Sequence, residues 1–127
     1  MGAMQQQSEA VHQMIQAWRR LDLEAAMSLL AEDAVFLPDP GGEPVRGREA
    51  IGALWTYYMG LFASYECEVH HILASDRLVL VEKTERIARV DGQHVELPVA
   101  SAYELDGSGR IIAWRDYWDP SMAMAQG

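Results

Sequence analysis

The sequence has a single cysteine, few basic residues and no long apolar run. Cys67 has no partner for an internal disulfide, which favours a reducing, cytoplasmic setting. Nineteen acidic residues against ten basic ones give a net charge of -9, so phosphate backbones and anionic membrane surfaces are repelled. No stretch approaches the roughly 20 apolar residues that span a bilayer, and no signal-peptide pattern opens the chain. Neither nucleic acid nor a membrane is therefore an expected partner.

The four histidines lack the spacing of metal ligands. His70 and His71 are adjacent in a predicted strand, where neighbouring side chains point to opposite faces. The sequence therefore predicts no metal site, and we expect any chemistry to be free of cofactors.

The 127 residues suffice for one domain with one hydrophobic core. The opening letters MGAM look like vector-derived residues before a natural Met4, so residues 1–7 are expected to be a flexible extension. Residues 121–127 are expected to be a flexible tail. The single domain is therefore placed at residues 8–120.

The first half of the chain is predicted to be helical. One apolar stripe recurs at spacings of three and four, formed by Val11, Met14, Ile15, Trp18 and Leu21. Ser8 is the expected N-cap of this helix, and Asp22 that of a second helix through LEAAMSLLAED. A short β-prone run, AVFL, leads into the Pro- and Gly-rich loop PDPGGEPVRG. A third helix follows in REAIGALWTYYMGLFA, with Ile51, Leu54, Tyr58, Leu61 and Phe62 on one face.

The second half reads as four strands separated by turn residues. The runs are YECEVHHILA, RLVLVEKTERIAR, HVELPVASAYEL and RIIAWRDYWD. The short separators SD, VDG and DGSG predict an antiparallel meander. Helices followed by an antiparallel sheet indicate an α+β fold, and a strongly curved sheet covered by helices encloses a cavity suited to a small molecule.

Alternation along the last two strands predicts which side chains face that cavity. The buried face of HVELPVASAYEL consists of Val95, Leu97, Val99, Ser101, Tyr103 and Leu105. The more apolar face of RIIAWRDYWD consists of Ile112, Trp114, Asp116 and Trp118. Asp116 thus lies between two tryptophans, where desolvation raises the pKa of a carboxyl group. It is either a general acid–base group or a structural aspartate paired with an arginine or a backbone amide.

The inward face of VLVEKTERIAR depends on the hairpin at VDGQ. A two-residue loop of Asp91 and Gly92 directs Thr84 and Arg86 inward. A three-residue loop of residues 91–93 places Glu85 opposite Val99, with Lys83 beside it. Periodicity leaves both possibilities open, and most charges of this strand belong to a solvated face or a dimer interface.

Asp39 is the remaining carboxylate of interest because it lies between two prolines in the loop. Aspartate commonly stabilises a turn at such a position. Polar residues on loops of a rigid scaffold also often carry function, so a catalytic role stays open.

The stretches LLAEDAVFLPDPGGEPVRGREAI and VELPVASAYELDGSGRIIAWRDYWD resemble the limonene-1,2-epoxide hydrolase family. The resemblance runs from about Val11 to Asp119, and the closing Trp-Arg-Asp-Tyr-aromatic-Asp signature is its most specific part. That family belongs to the nuclear-transport-factor-2-like, or ketosteroid-isomerase-like, superfamily, with which SnoaL-like proteins are grouped. The resemblance implies a cone-shaped fold in which about three N-terminal helices cover a curved antiparallel sheet.

The hydrolases use an Asp–Arg–Asp arrangement plus a Tyr and an Asn that hold a water. The resemblance implies that Asp116 is the general base and Glu85 the acid that protonates the epoxide oxygen. Lys83 then stands at the bridging arginine, where it lacks the bidentate geometry of arginine. A competing register keeps Arg86 as the arginine but places Ala88 at the acid position.

The resemblance extends to the loop and to the substrate. Asp39 occupies the position of the family's water-holding Asn, and Leu37 or Phe36 occupies the position of its Tyr. The residues expected to contact substrate are Trp18, Leu37, Leu54, Tyr58, Leu97, Val99, Ser101, Trp114 and Trp118. These side chains predict an apolar substrate of terpenoid, steroid or polyketide size, and dimerisation through the outer sheet face is expected by resemblance.

A second resemblance leads to a different reaction. DPGGEP is similar to the ketosteroid isomerase loop that carries a proton-shuttling aspartate, here Asp39. The oxyanion-hole residues of those enzymes fall near Met14 and Ser101, which cannot perform that role. The hypotheses are therefore an epoxide hydrolase-like enzyme, an isomerase, dehydratase or cyclase that uses Asp39 and Asp116, and a non-catalytic binding protein for an apolar ligand.

Overall fold

The computed structural model describes the backbone of residues 3–126 and the side chains of residues 9–123. Its helices are α1 (Ala3–Arg19), α2 (Leu23–Ser28), α3 (Arg48–Leu61) and α4 (Pro120–Gln126). Its strands are β1 (Leu30–Leu37), β2 (Val45–Arg46), β3 (Phe62–Ala74), β4 (Leu78–Arg89), β5 (His94–Leu105) and β6 (Ile111–Tyr117). The predicted α+β class is confirmed: the helices of the first half cover a curved six-stranded sheet.

The N-terminal helices follow their capping signals in part. Helix α1 begins at Ala3, so Ser8 lies within the helix and the prediction that it is the N-cap is wrong. The backbone amide of Ala25 donates to the Asp22 carboxylate over 3.1 Å, which confirms the predicted cap of α2. This helix ends at Ser28 rather than continuing to residue 33, because Leu30 already pairs with Ile111 in the sheet.

The expected flexible ends fall partly within these elements. Residues 3–7 are helical backbone of α1, and residues 120–126 form α4. Residues 1, 2 and 127 lie outside the described residues. The proposed domain of residues 8–120 contains all the strands of the described part of the chain.

The sheet has the strand order β2-β1-β6-β5-β4-β3. Strands β3 to β6 form the predicted antiparallel meander. Strand β1 adds to it by pairing in parallel with β6, a long-range contact that local turn signals do not predict. As a result β6, the last strand in the chain, lies inside the sheet between β1 and β5.

Two irregularities shift the predicted faces. A register shift between Glu104 and Leu105 pairs Leu105 with Ile111, so Ile111 is fully buried where Ile112 was predicted to be inward. A second shift in β3, between Val69 and His71, leaves both His70 and His71 exposed, so the prediction that they occupy opposite faces is wrong.

The β4–β5 hairpin decides which charges of β4 face inward. Its tip is a three-residue loop of residues 90–92, closed by the Arg89 amide donating to the Gln93 carbonyl over 2.8 Å. Gly92 adopts a φ of 92°, which favours glycine. Glu85 therefore pairs with Leu97 rather than with the predicted Val99. Leu97 and Val99 are two positions apart and therefore lie on the same face of β5, so Lys83 and Glu85 keep the predicted inward orientation.

The core lies between the helices and the inner face of the sheet. Its fully buried members include Val11 and Met14 of α1, Ile51 and Trp55 of α3, and Tyr103 of β5. The alternation predicted for β5 is confirmed at Leu97, Val99, Ser101, Tyr103 and Leu105, which are all buried. Val95, predicted to be inward, is half-buried, and Ala102, predicted to be outward, is buried. Within the described residues, no helix has the length and apolar character needed to cross a membrane.

Candidate active site

A cavity of about 270 Å³ opens between the inner face of the sheet and helices α1 and α3. Most of its wall is apolar or aromatic, and three charged side chains, Glu85, Arg89 and Asp116, reach it. The other lining residues are Trp18, Phe36, Pro38, Tyr58, Leu61, Phe62, Tyr65, Ile87, Leu97, Trp114 and Trp118. The predicted small-molecule cavity is therefore present on the face that alternation indicated.

Asp116 enters this cavity from β6 with one oxygen already occupied. Its Oδ1 accepts a hydrogen bond from the Ser101 hydroxyl over 2.6 Å and from the Trp114 indole nitrogen over 2.7 Å. Ser101 lies directly across on β5, and Trp114 is two residues away on the same strand. Both donors are neutral, so Oδ2 is the oxygen left for a ligand or water.

Burial beside the aromatic rings raises the pKa of Asp116 to about 6. The Lys83 ammonium opposes this shift, the Glu85 carboxylate adds to it, and the donors Ser101 and Trp114 again lower the value. A carboxyl group with this pKa exchanges a proton near neutral pH, as general acid–base catalysis requires.

Glu85 is the second carboxylate of the cavity, and its Oε2 is held from two sides. The Tyr65 hydroxyl donates to it over 2.7 Å, and the Lys83 ammonium lies 3.3 Å away. The Glu85 side chain is 14% exposed, whereas that of Lys83 is only 1% exposed. The carboxylate thus reaches the cavity while its counter-ion lies behind it.

Lys83 is one of the largest fully buried side chains of the described protein. Its ammonium is 3.4 Å from the Tyr103 hydroxyl oxygen and 5.6 Å from the centre of the Trp114 ring. Burial alone lowers the pKa of an ammonium group, but the oxygens of Tyr103, Tyr65 and Glu85 raise that of Lys83 well above its ordinary range. Lys83 is therefore a buried cation beside Glu85.

The structure brings most of the predicted site residues together. Glu85 and Asp116 line one cavity with Trp18, Tyr58, Leu97, Trp114 and Trp118. Lys83 and Ser101 are buried behind the two carboxylates and contact them directly. Among the described residues that we expected at the wall, Leu37, Leu54 and Val99 do not line it.

The loop residues are placed differently from the expectation. Phe36 lines the cavity and its neighbour Leu37 does not, which follows from alternation along β1. The Asp39 carboxylate accepts from the Gly41 amide over 3.0 Å, and its carbonyl accepts from the Gly42 amide over 2.9 Å. Asp39 therefore forms a turn at the end of β1 rather than part of the cavity wall.

Arg86 points away from the cavity on the outer face of β4. It pairs with Glu68 over 2.9 Å and with Glu96 over 3.4 Å on the neighbouring strands. These contacts follow from the hairpin register, which directs even-numbered residues of this stretch outward. The alternative in which Arg86 acts beside Asp116 does not match this geometry.

Sequence reasoning missed the contribution of β3 and the end of β4. Tyr65 is the most important omission because it donates to Glu85, and Phe62, Ile87 and Arg89 also line the cavity. The available signal was the two-residue spacing of Tyr65 and Cys67 along β3, which would have placed both side chains on the inner face. Both are buried. Pairing of Tyr65 with Ile87 across the strands places them on the same face.

Two carboxylates with unequal surroundings thus face one apolar cavity. Asp116 is held by neutral donors only, whereas Glu85 is held by a phenol and a buried ammonium. Two carboxyl groups at the wall of one cavity can give a proton to one atom of a substrate and take one from another. In the described part of the chain, no group of histidine, cysteine and acidic side chains could hold a metal ion.

Comparisons with known proteins identify a domain family and several similar proteins. A model of the SnoaL-like domain matches residues 11–114. Epoxide hydrolase EphG of Mycobacterium tuberculosis is 29% identical over 110 residues, which cover 87% of this chain and 71% of the relative. The structure of an M. tuberculosis LEH-like epoxide hydrolase superposes with a TM-score of 0.86 at 26% identity, covering 98% of this chain and 91% of that chain.

A further solved structure carries the same fold at lower identity. SalBIII, an epoxide hydrolase/cyclase-like enzyme in pyran ring formation in the polyether salinomycin, superposes with a TM-score of 0.83 at 19% identity. The superposition covers 93% of this chain and 94% of that chain. The resemblance to epoxide hydrolases inferred from the sequence is confirmed by EphG and by the LEH-like epoxide hydrolase structure. With a domain model that spans most of its length, the chain belongs to the SnoaL-like domain family.

Proposed function

We propose that this protein is a cofactor-free enzyme that opens an apolar epoxide with water. The observation that carries the proposal is the pair of carboxylates, Glu85 and Asp116, at the wall of one largely apolar cavity. The relationship to an epoxide hydrolase at 29% identity supports the same reaction class. The aromatic wall suits a terpenoid, steroid or polyketide-like substrate.

In the reactive form of this scheme Glu85 carries a proton and Asp116 is ionised. Asp116 accepts a proton from a water as the water oxygen bonds to an epoxide carbon, and the carbon–oxygen bond of the epoxide breaks. Glu85 donates its proton to the departing oxygen, so the product is a diol. The net change is the addition of one water, and exchange of protons with solvent restores the starting state of the pair.

Lys83 and Tyr65 hold the acid in place. The buried ammonium compensates the negative charge that Glu85 acquires when it has given its proton, and the Tyr65 hydroxyl fixes the position of Oε2. Asp39 takes no part in this scheme because its carboxylate closes its own turn.

The proposal is tested by incubating the protein with a panel of apolar epoxides and separating the products by chromatography. Diol formation with incorporation of labelled oxygen from heavy-oxygen water is the expected result. Asp116→Asn is the matched control, since the amide keeps an oxygen for Ser101 and Trp114 but cannot accept the proton. Absence of diol from every epoxide, with a folded wild-type protein, would overturn the proposal.

A second candidate is an isomerase, dehydratase or cyclase that uses Asp39 and Asp116. It is favoured by one observation on Tyr58, which lines the cavity. The pKa of Tyr58 is raised mainly by burial and further by the negative charges of Asp116 and Asp39, so Asp39 lies within electrostatic reach of the cavity. On an active substrate, Asp39→Asn should reduce turnover as strongly as Asp116→Asn if this candidate is right. An Asp39→Asn variant with unchanged turnover excludes it and favours water addition.

The outer face of the sheet is proposed as a dimer interface. Leu73, Leu80 and Tyr117 are 72%, 45% and 46% exposed there, and Leu73 and Leu80 pair across neighbouring strands. Apolar patches of this kind commonly mark protein contacts. Sedimentation velocity should report a dimer, and Leu80→Lys should shift it to the monomer; a monomeric wild-type protein contradicts the assignment.

A further inference from the structure

One face of β4 carries an ordered series of charges from the core to the rim of the cavity. The Lys83 side chain is 1% exposed, that of Glu85 is 14% exposed and that of Arg89 is 34% exposed. Alternation places these residues on the same face as Ile87. The cavity therefore opens toward Arg89, and this arginine is the only cation among the described residues that line it.

Arg89 still has hydrogen-bonding capacity toward a ligand. Asp91 contacts its Nε over 3.2 Å and its Nη2 over 3.1 Å. These contacts engage two of the five N–H donors of the guanidinium group. An arginine held from one side in this way keeps donors of its planar fork for a second carboxylate.

The surroundings of Arg89 fit the end of an apolar chain. Phe62 pairs with Arg89 across the strands, and the Leu61 carbonyl accepts from the Val90 amide over 2.9 Å, which fixes the hairpin tip to the end of α3. Both Leu61 and Phe62 line the cavity. A ligand that passes between them is in apolar contact until it reaches the guanidinium.

We propose that Arg89 anchors a carboxylate of the substrate at the rim of the cavity. Arg89 is four positions along the extended strand from Glu85, which corresponds to roughly 13 Å between their Cα atoms. The substrate class is therefore an apolar molecule with a carboxylate at one end and the electrophilic carbons about that distance away. The position of the electrophile rests on the proposed function, whereas the carboxylate site does not.

Binding of an unreactive ligand tests the anchor without any turnover. We would titrate the protein calorimetrically with decanoate and with decanamide, which have the same chain and differ in charge. The wild-type protein should bind decanoate about tenfold more tightly than decanamide, since a hydrogen bond to a charged group contributes about that factor. Arg89→Gln should abolish the preference, whereas Arg20→Gln, the same charge change at an exposed position outside the cavity, should retain it.

Asp91→Asn separates an anchor from a purely structural arginine. If Arg89 serves only to hold the hairpin through Asp91, this variant should lose the preference as Arg89→Gln does. If Arg89 is the anchor, Asp91→Asn should keep the preference or strengthen it, because the guanidinium is released from its internal partner. Equal binding of the two ligands by the wild type, or loss of the preference in Asp91→Asn, overturns the proposal.

Turnover of 9,10-epoxydecanoate, which carries an epoxide at the end of the decanoate chain, distinguishes this proposal from the proposed function. A preference for decanoate without any diol product supports the anchor and counts against epoxide opening. Diol formation from neutral epoxides without a preference for decanoate supports epoxide opening and overturns the anchor.

Discussion

The two faces of β4 carry similar charges in opposite circumstances. On the outer face, Arg86 lies between Glu68 and Glu96, and its side chain is 46% exposed. On the inner face, Lys83 pairs with Glu85 over a comparable distance of 3.3 Å but is 1% exposed. Exposed ion pairs contribute little to stability because water screens them, whereas a buried pair interacts strongly with every neighbouring group.

The comparison shows that environment, rather than residue type, gives a charged strand its chemistry. On the inner face, Lys83 and Glu85 both act on the pKa of the neighbouring Asp116 carboxyl group. The outer face instead presents a ladder of solvated contacts, such as His71 with Glu82 over 2.7 Å. Substitutions that are chemically identical on the two faces should therefore differ greatly in effect.

The largest expected difference concerns turnover by two glutamates of the same strand. Glu85→Gln should reduce epoxide opening on the order of a thousandfold, since a positioned general acid typically contributes about that factor. Glu82→Gln, on the outer face, should leave turnover unchanged. Steady-state kinetics on any epoxide that the wild type opens measures both, and comparable losses in the two variants would contradict the assignment of Glu85.

The next largest difference concerns how much Lys83 and Arg86 each contribute to the stability of the protein. Lys83→Met leaves Glu85 buried without its counter-ion and should lower the free energy of unfolding by about 3 kcal/mol or more. Arg86→Met removes exposed pairs only and should change it by less than about 0.5 kcal/mol. Urea denaturation at neutral pH gives both values. A Lys83→Met protein as stable as Arg86→Met would show that the buried pair has little energetic weight.

Asp116 should make the protein less stable as pH rises. Its folded pKa of about 6 lies above the value of an unfolded aspartate, so the folded state binds more protons between about pH 4 and about pH 6. The free energy of unfolding should therefore fall across this window, and Asp116→Asn should be more stable than the wild type at neutral pH by about 2 kcal/mol.

Denaturation of both proteins at about pH 4 and about pH 7 checks this sign. The advantage of Asp116→Asn should be present at neutral pH and vanish below the unfolded pKa, where both side chains are uncharged. An advantage that is constant across the window would exclude titration of Asp116 as its cause.

The smallest expected effect concerns Tyr65. Tyr65→Phe removes the hydroxyl that donates to Glu85 and should cost about 1 kcal/mol of stability, with a roughly tenfold loss of turnover. Tyr57→Phe, at a 63% exposed position on α3, is the matched control and should change neither quantity. Turnover equal to that of the wild type in Tyr65→Phe would remove this hydroxyl from the positioning of the acid.

The sequence predicted the parts of the site that depend on local periodicity. Alternation along β5 and β6 was sufficient to direct Ser101, Trp114 and Asp116 toward one another, because a two-residue period alone determines the face. The meander itself followed from turn residues. The fold class and the tryptophans of the cavity wall were therefore accessible from the sequence alone.

The parts that depend on pairing between distant segments were not accessible. The inward position of Glu85 depends on the number of residues in a hairpin loop, which the sequence left open. The register shifts near Ile112 and His70 are irregularities that leave no local pattern in the sequence. The parallel pairing of β1 with β6 joins residues about eighty positions apart, so LLAED was assigned to a helix by its intrinsic propensity. Asp39 remained ambiguous because a turn and a catalytic loop use the same residue types.

The position of β6 has a consequence for how the protein is made. The chain supplies this strand after β1 to β5, yet the finished sheet needs it in the middle. Until it inserts, β1 and β2 pair with no strand of the meander, and Asp116 lacks its contact with Ser101. The indole of Trp118 then donates to the carbonyl of Pro38 over 2.7 Å and joins the two halves. A nascent chain that ends before β6 therefore lacks Asp116 and, with it, one of the two carboxylates of the site.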